Sequence, residues 1–252
     1  MKTKIALITG GSRGLGKDMA YSIAKKGTDV IITYLASKDE ADKVVEDIQS
    51  QGRKAVALQL DLSDMKNLDP FIIRLEFALK EVWNAKSFDF LINNAGVGAS
   101  VPMPEVKEEV FDYLFNVHFK CVYFLTQKTL PLMNNHGCVI FISTGLTRFS
   151  LPGSSVYSSC KAAAEVLARY VAVEFGERGI RSNVVAPGPI ETDFNNAAIR
   201  NNPEVQLFIS SQTPLGRVGM SDDIGGVVAF LCSKEAKWIN GQRIEVSGGI
   251  NV

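Results

Sequence analysis

The sequence predicts an α/β fold: a single doubly wound Rossmann domain in which a seven-stranded parallel sheet carries helices on both faces. Short β-branched apolar runs alternate with longer amphipathic stretches along all 252 residues, which is typical of βαβ units. No repeat, low-complexity tract or linker divides the chain, and its length is enough to bury a large core. We therefore expect one domain over residues 1–252.

Each predicted strand is an apolar run bounded by Gly, Asn, Asp or Pro, residues that favour turns. The predicted strands are Lys4–Thr9, Asp29–Tyr34, Ala55–Leu60, Phe88–Asn93, Cys138–Ser143, Arg181–Ala186 and Arg243–Val246. Helical periodicity between them predicts the helices Leu15–Lys26, Lys38–Gln51, Leu68–Val82, Lys107–Leu132, Ser158–Arg178 and Asp222–Ser233.

The charge balance argues against several classes of partner. The chain has 27 Lys and Arg against 27 Asp and Glu, so it lacks the basic field that nucleic acid or an anionic membrane surface attracts. Its longest apolar runs are far shorter than the roughly 20 residues that span a bilayer. Four cysteines without ligand-like spacing predict no metal site and indicate reduced thiols in a cytoplasmic protein. The two histidines, His118 and His136, are interpreted as structural or surface residues.

Two helical segments are apolar nearly all round, whereas a surface helix has one apolar stripe. They span residues 110–130 and 162–175. The sheet covers one side of each segment, and the same helix of a second subunit would cover the other. We therefore predict a homo-oligomer, with burial wholly inside one chain as the alternative.

A glycine-rich turn follows the first strand and leads into a helix. Its sequence over Thr9–Gly16 is TGGSRGLG, and such glycines let the backbone approach a pyrophosphate at the helix N-terminus. The spacing differs from the commoner GxGxxG, and the sterics of a strand-to-helix turn can also select glycine. The position at the first βα turn nevertheless favours dinucleotide binding. The predicted contacts are Gly10, Ser12, Arg13, Gly14, Leu15 and Gly16.

The end of the second strand bears on which dinucleotide is bound. It ends at Tyr34, with no acid before Asp39. A carboxylate here would hold the ribose 2′-hydroxyl of NAD(H) and repel the 2′-phosphate of NADP(H). Arg13 and Lys38 either supply positive charge to that phosphate or are solvated surface charges. The sequence thus favours NADP(H) over NAD(H).

Tyr157 and Lys161 lie four residues apart at the start of a predicted helix, on one face. A phenol with a pKa of ~10 needs about 4 kcal/mol of preferential stabilisation of its phenolate to work as an acid–base catalyst near neutral pH. A neighbouring ammonium and a positive nicotinamide ring would supply it. The pair by itself is a weak signal, because such spacings are common on solvated helices.

Together the motifs resemble the short-chain dehydrogenase/reductase family over the whole chain. They are TGGSRGLG at 9–16, Asp61-Leu62, NNAG at 93–96, Asn116, YSSCK at 157–161, APGPIET at 186–192 and the tail at 216–249. The resemblance implies strand order 3-2-1-4-5-6-7 and a homotetramer built on the two apolar helices.

The resemblance also implies catalytic roles. Tyr157 would be the general acid in ketone reduction, and Lys161 would hold the nicotinamide ribose and lower the tyrosine pKa. Asn116 would hold a water in the proton relay. The family's substrate-binding serine lies thirteen positions before the tyrosine, where this chain has Thr144, preceded by Ser143. Threonine keeps the hydroxyl but has a restricted rotamer, and we favour Thr144 over Ser143.

Further positions are implied to contact the cofactor. Asp61 would accept from the adenine amino group, and residues 187–192 would hold the nicotinamide carboxamide. Each has a structural alternative: a helix cap for Asp61, and turn chemistry for the NNAG and PGP segments. The stretch Thr192–Thr213 is interpreted as a mobile substrate lid. The remaining predicted contacts are Leu62, Asn93, Ala95, Gly96, Pro187, Gly188, Ile190 and Thr192.

The predicted activity is NADPH-preferring reduction of a ketone, or the reverse oxidation of a secondary alcohol, on a small-molecule substrate. One alternative is a 3-oxoacyl-carrier-protein reductase, for which Arg148 and Arg169 could receive an acidic carrier. Another is a dinucleotide sensor without turnover. The sensor is disfavoured because Asn116, Tyr157 and Lys161 are all present.

Overall fold

The computed structural model describes residues 3–251. Its strands are β1 (Ile5–Ile8), β2 (Asp29–Tyr34), β3 (Ala55–Gln59), β4 (Phe88–Asn93), β5 (Met133–Ile142), β6 (Arg181–Pro187) and β7 (Arg243–Val246). All pair in parallel in one sheet of order β3-β2-β1-β4-β5-β6-β7, which confirms the predicted fold class and strand order. The order reverses between β1 and β4, and the carboxyl ends of these strands flank the crevice where doubly wound folds bind ligands.

Helices cover both faces of the sheet. They are α1 (Gly14–Lys25), α2 (Lys38–Ser50), α3 (Leu68–Trp83), α4 (Glu108–Phe115), α5 (Cys121–Thr129), α6 (Ser155–Glu174), α7 (Phe194–Ala197), α8 (Pro203–Gln212) and α9 (Ser221–Leu231). One apolar core joins the sheet to α1, α2 and α9, and a second joins it to α3, α5 and α6. Because both faces are covered, β1 and β4 are buried along their whole length.

Three segments differ from the predicted elements. The helix expected over Lys107–Leu132 is interrupted by a π-helical turn at Asn116–Lys120 and ends in a 3₁₀ turn. β5 begins at Met133, ahead of the predicted Cys138, because Met133 pairs with Phe88 before the register shifts. The predicted lid contains two helices, α7 and α8. These helices were not predicted because the segment is rich in polar residues.

The outer faces of α4, α5 and α6 leave large apolar side chains exposed. Phe111, Tyr113, Tyr123, Tyr170 and Val173 all have at least 40% of their surface accessible. Such a surface is typical of a subunit interface, so burial wholly within one chain does not describe these helices. The homo-oligomer stays a prediction. Within residues 3–251, no helix combines the length and apolar character that a membrane crossing requires.

Candidate active site

The glycine turn between β1 and α1 is fixed by its own backbone. Gly10 and Gly14 have φ angles of 68° and 53°, in the left-handed region that side chains disfavour. A Cβ at Gly16 would lie 2.1 Å from the carbonyl oxygen of Gly10, so only glycine fits there. The turn therefore keeps a shape in which its backbone can approach a diphosphate closely.

The first turn of α1 offers its amide groups to this site. Its N-cap residue is Arg13, whose side chain makes no capping hydrogen bond within the described part of the chain. Such a helix end attracts anions through free N–H groups and the helix dipole. A Cβ at Gly14 would lie 3.7 Å from the Thr192 Cβ, so Thr192 forms the facing wall. Ser12, Gly14 and Thr192 line one cleft, and this cradle fits a dinucleotide diphosphate.

Charged side chains of both signs line the same cleft, which has a volume of about 460 Å³. Arg13, Lys17 and Lys43 contribute cations from the turn, α1 and α2. The cleft is also lined by Arg200 and by the carboxylates of Asp18, Glu40, Glu191 and Asp193. Lys38, by contrast, forms an exposed ion pair with Asp42. Sequence reasoning missed Lys17 and Lys43, although helical spacing places Lys17 one turn after Arg13.

The predicted contacts at the adenosine side lie at the ends of β2 and β3. Tyr34 ends β2 and is partly buried. Asp61 Oδ1 accepts from the Ser63 N–H at 2.8 Å, which makes an Asx turn and not the helix cap considered as its alternative. Asp64 is the cap of the 3₁₀ turn that follows. The Leu62 side chain belongs to the apolar core.

The NNAG segment braces the glycine turn from the end of β4. Asn94 Nδ2 donates to two carbonyl oxygens of that turn, at 2.8 and 3.2 Å. The Ala95 N–H donates to Thr9 Oγ1 at 2.9 Å. The side chain of Asn93 is instead buried and donates to Thr126 on α5 at 3.1 Å. Asn94, which the sequence analysis did not single out, is therefore the asparagine whose side chain contacts the turn.

The segment Pro187–Thr192 leads from β6 toward α7 and packs on the C-terminal tail. A Cβ at Gly188 would lie 2.8 Å from the Ser247 Cα, so only glycine lets the tail approach. Ile190 forms a parallel bridge with Gly219. These contacts fix the predicted carboxamide-binding segment beside the cleft.

α6 places Tyr157 and Lys161 against the carboxyl end of β5. Lys161 is buried, and its Nζ donates to the Ile142 carbonyl at 2.8 Å. The same Nζ lies 5.8 Å from the centre of the Tyr157 ring. The Thr144 hydroxyl lies close enough to Tyr157 to lower the pKa of its phenol. The structure thus brings together three of the four predicted catalytic residues.

Burial shifts both titrating groups of this cluster. It raises the pKa of Tyr157 to about 12, and the neighbouring Thr144 hydroxyl offsets part of the increase. Burial lowers the pKa of Lys161 to about 8. In the chain by itself, desolvation therefore outweighs the predicted lowering of the tyrosine pKa by the Lys161 ammonium. Tyr157 is a neutral phenol at neutral pH, the form that a general acid requires.

The two hydroxyls at the end of β5 have different partners. Ser143 Oγ is buried and donates to Glu165 Oε1 at 2.6 Å. Thr144 Oγ1 accepts from the Leu146 N–H at 3.3 Å as the cap of a 3₁₀ turn. The Ser143 hydroxyl proton is taken up by the hydrogen bond to Glu165, whereas Thr144 Oγ1 accepts a bond and can still donate its proton. Thr144 is also the one of the two that acts on Tyr157, which favours it over Ser143.

Asn116 begins the π-helical turn, and π turns are frequent at functional sites. Its carbonyl accepts from the Cys121 N–H, and it lines a groove with Ser63, Asp112 and Tyr113. Its role in holding a water stays a prediction.

His118, on the same turn, is the residue near Tyr157 that sequence reasoning missed. It is 1% exposed, and its ring meets the Tyr157 ring edge-on with 4.9 Å between centroids. Its Nε2 lies 2.8 Å from the Val97 carbonyl oxygen, so it donates there. Burial, and then the charge of Lys161, lower the pKa of His118 to about 3. The only available signal was its place in an unusually apolar segment.

α7 and the loop after β4 meet beside Tyr157. The Phe194 ring lies 6.4 Å from the Tyr157 ring, and a Cβ at Gly98 would lie 3.0 Å from the Asn195 Cβ. α8 begins at Pro203 after an Asn202 cap, a sequence signal for a helix start that went unused. The mobility of this lid stays a prediction.

Comparison with known proteins covers the whole chain. The matching family model, described as enoyl-(acyl carrier protein) reductase, spans residues 10–251. An uncharacterised oxidoreductase of Methylorubrum extorquens is 38% identical over 250 residues, 99% of this chain and 98% of its own. A hydroxynaphthalene reductase-like protein of Metarhizium majus is 34% identical, with 98% and 94% covered. The angucycline C-6 ketoreductase LanV, solved with bound NADP, has 37% identity and a TM-score of 0.93, with 99% and 96% covered.

These matches and the cofactor cradle agree with the motif pattern and the strand order. The chain therefore belongs to the short-chain dehydrogenase/reductase family and is an NAD(P)-dependent oxidoreductase.

Proposed function

We propose that this protein reduces a ketone with NADPH as the preferred cofactor. The observation that carries the proposal is the meeting of Thr144, Tyr157 and Lys161 beside the glycine turn, at the carboxyl end of the sheet. Hydroxyl donors and an ammonium at this point suit a carbonyl that gains negative charge on its oxygen.

The residues of this cluster have distinct tasks in the proposed reaction. The bound nicotinamide supplies the hydride for the carbonyl carbon. The Thr144 hydroxyl donates to the substrate oxygen and orients it, and Tyr157 gives that oxygen its phenolic proton. Lys161 holds positive charge next to the phenolate that results and binds the nicotinamide ribose. His118 packs behind the phenol ring and limits its movement.

The NADPH preference rests on charge. Arg13 lies in the glycine turn and lines the cleft, and no acidic residue follows Tyr34, the end of β2, before Asp39, so no carboxylate is placed to repel a 2′-phosphate. The other cations of the cleft are accompanied by carboxylates and do not decide the preference. A relative solved with NADP is consistent with this preference. Arg13→Ala should weaken NADPH binding more than NADH binding. Lys38→Ala, which removes an exposed ion pair, is the control and should change both by less than about twofold.

For the substrate, we infer a fused aromatic ketone. Phe194 is about half exposed, and its ring lies 6.4 Å from the Tyr157 ring, with the two planes tilted. A flat ring system could stack on the phenyl group while its carbonyl reaches Tyr157. Hydroxynaphthalene and angucycline in the names of two relatives point to the same chemistry.

The test is oxidation of NADPH and NADH by the wild type with fused aromatic ketones, aliphatic ketones and a 3-oxoacyl thioester. We expect NADPH-preferring turnover of the aromatic ketones and a loss of at least about a thousandfold in Tyr157→Phe. Tyr170→Phe, on the exposed side of the same helix, is the matched control. Preference for the thioester would favour the acyl-carrier alternative. Tight NADPH binding without any turnover would favour the sensor.

The oligomer belongs to the same proposal. We infer a homotetramer that covers the apolar faces of α4, α5 and α6. Light scattering at micromolar concentration should give four times the mass of one chain, and Tyr170→Glu should reduce it. A monomeric wild type would contradict this inference.

A further inference from the structure

The turn after β5 is held by a carboxylate on α6. Glu165 Oε1 accepts three hydrogen bonds, from Ser143 Oγ at 2.6 Å, Thr147 Oγ1 at 2.8 Å and Arg243 Nε at 2.9 Å. The Glu165 side chain is 12% exposed. A largely buried carboxylate oxygen that accepts from three donors holds those donors in a narrow range of positions.

The same turn is held from the other side by a guanidinium on β7. Arg243 Nη2 donates to the Thr144 carbonyl at 3.0 Å and to Thr147 Oγ1 at 3.1 Å. Its Nη1 donates to Glu245 Oε2 at 3.0 Å. All three guanidinium nitrogens are therefore in use, and the planar group reaches backbone and carboxylates at once.

Two more contacts tie this network to the end of the described chain. Arg148 Nε pairs with Glu245 Oε2 at 2.9 Å, and Arg148 Nη2 donates to the Asn251 carbonyl at 2.6 Å. The residues just after Thr144 are thus clamped between α6, β7 and the C-terminal tail.

The residue at position 144 explains why such a clamp is useful. A serine can rotate its hydroxyl among three rotamers, whereas the β-branched threonine is stiff at χ1. The direction of the Thr144 hydroxyl therefore follows the backbone that carries it. A displacement of the Thr144 backbone would move the hydroxyl away from the substrate oxygen, and rotation about χ1 could not compensate for it.

We propose that Glu165 and Arg243 are positioning residues that fix the backbone of Thr144 and so aim its hydroxyl at the substrate oxygen. The proposal rests on the ketone reduction proposed above. Neither residue touches the reacting atoms; both act through Thr144. Apolar side chains would hold α6 and β7 together about as well as this ion pair, but they could not bond the carbonyl of Thr144.

The test is the variant Arg243→Lys, alone and combined with Thr144→Ser. Lysine keeps a positive charge beside Glu165 but lacks the fork that reaches the Thr144 carbonyl. We expect kcat to fall about 10- to 100-fold, with the Kd of NADPH within about twofold. Thr144→Ser alone should change kcat little. In the Arg243→Lys background it should restore at least about fivefold, because serine can turn its hydroxyl back.

Arg217→Lys is the matched control, since Arg217 forms a bidentate pair with Asp223 at 2.6 and 2.7 Å on the exposed surface. It should leave kcat unchanged. Glu165→Gln, which keeps the shape of the acceptor, should lower kcat less than Arg243→Lys does. The proposal is overturned if Arg243→Lys retains full kcat, or if Thr144→Ser restores nothing. Wild-type turnover that Tyr157→Phe abolishes would keep the proposed function intact in either case.

Discussion

Two turns at the carboxyl end of the sheet build the site, and they are held by different means. The glycine turn after β1 is fixed by backbone sterics, since Gly16 leaves no space for a Cβ atom. The turn after β5 is fixed by side chains from distant elements, with Glu165 and Arg243 bonding to it from α6 and β7. A sterically fixed turn tolerates no added atom, whereas a turn held by side chains loses precision before it loses its fold.

The largest loss of stability or of cofactor binding is expected from a substitution in the glycine turn, where the backbone itself holds the site. The Gly16→Ala variant places a Cβ 2.1 Å from the Gly10 carbonyl oxygen, so the turn must open. We expect a loss of at least about 3 kcal/mol in the free energy of unfolding, or loss of NADPH binding in whatever protein folds. Urea unfolding and fluorescence titration measure the two quantities.

Gly27→Ala is the control for this change. Gly27 also has a positive φ, of 88°, but nothing lies within 4 Å of an added Cβ. It should cost only the left-handed backbone, about 1 kcal/mol. Equal losses in the two variants would contradict the steric account of the glycine turn.

The same contrast explains what could be predicted from the sequence. The strand positions and the glycine turn follow from local patterns, because apolar alternation and glycine spacing act over a few neighbouring residues. The strand order was implied by the family resemblance. The cluster of Thr144, Tyr157 and Lys161 came from resemblance. Arg243 lies 78 residues from its partner Glu165, and no local pattern links them.

His118 was missed for a similar reason. The side chain of His118 lies in a π-helical turn and points toward Tyr157. The periodicity of a regular α-helix does not predict that direction. The lid helices were hidden because α8 is largely exposed and its polar residues read as loop. Physical constraints that act between distant segments, or that depend on one irregular turn, leave little trace in local sequence.

A smaller change in the free energy of unfolding, a gain instead of a loss, is expected when Lys161 is replaced. Burial lowers its pKa from 10.5 to about 8, so the folded state is penalised wherever the lysine is protonated. The penalty is complete below pH 8 and disappears as pH rises toward 10.5. Lys161→Met should therefore stabilise the free protein by up to about 3 kcal/mol at pH 7 while it abolishes turnover. Thermal unfolding between pH 6.5 and 10 measures the gain.

The comparison for Lys161 is Lys80→Met, an exposed lysine on α3, which should leave the unfolding temperature nearly unchanged at every pH. A destabilised Lys161→Met at pH 7 would mean that the bond to the Ile142 carbonyl contributes more than burial of the charge costs. Lys161 is then kept for catalysis although its buried charge destabilises the folded protein.

The smallest effect is expected at His118, which joins the end of β4 to Tyr157. Its pKa falls from 6.5 to about 3 on folding, so the unfolded chain binds a proton between these values and the folded chain does not. Stability therefore falls as the pH drops through this range, by about 2 kcal/mol between pH 7.5 and 5. His118→Phe keeps the ring beside Tyr157, loses the bond to Val97 and should flatten this slope.

His136→Asn is the control for this prediction. It lies at an exposed position with a positive φ and should leave the pH dependence of stability unchanged. An undiminished slope in His118→Phe would show that other groups cause the acid sensitivity and that the His118 ring is not held neutral by its burial.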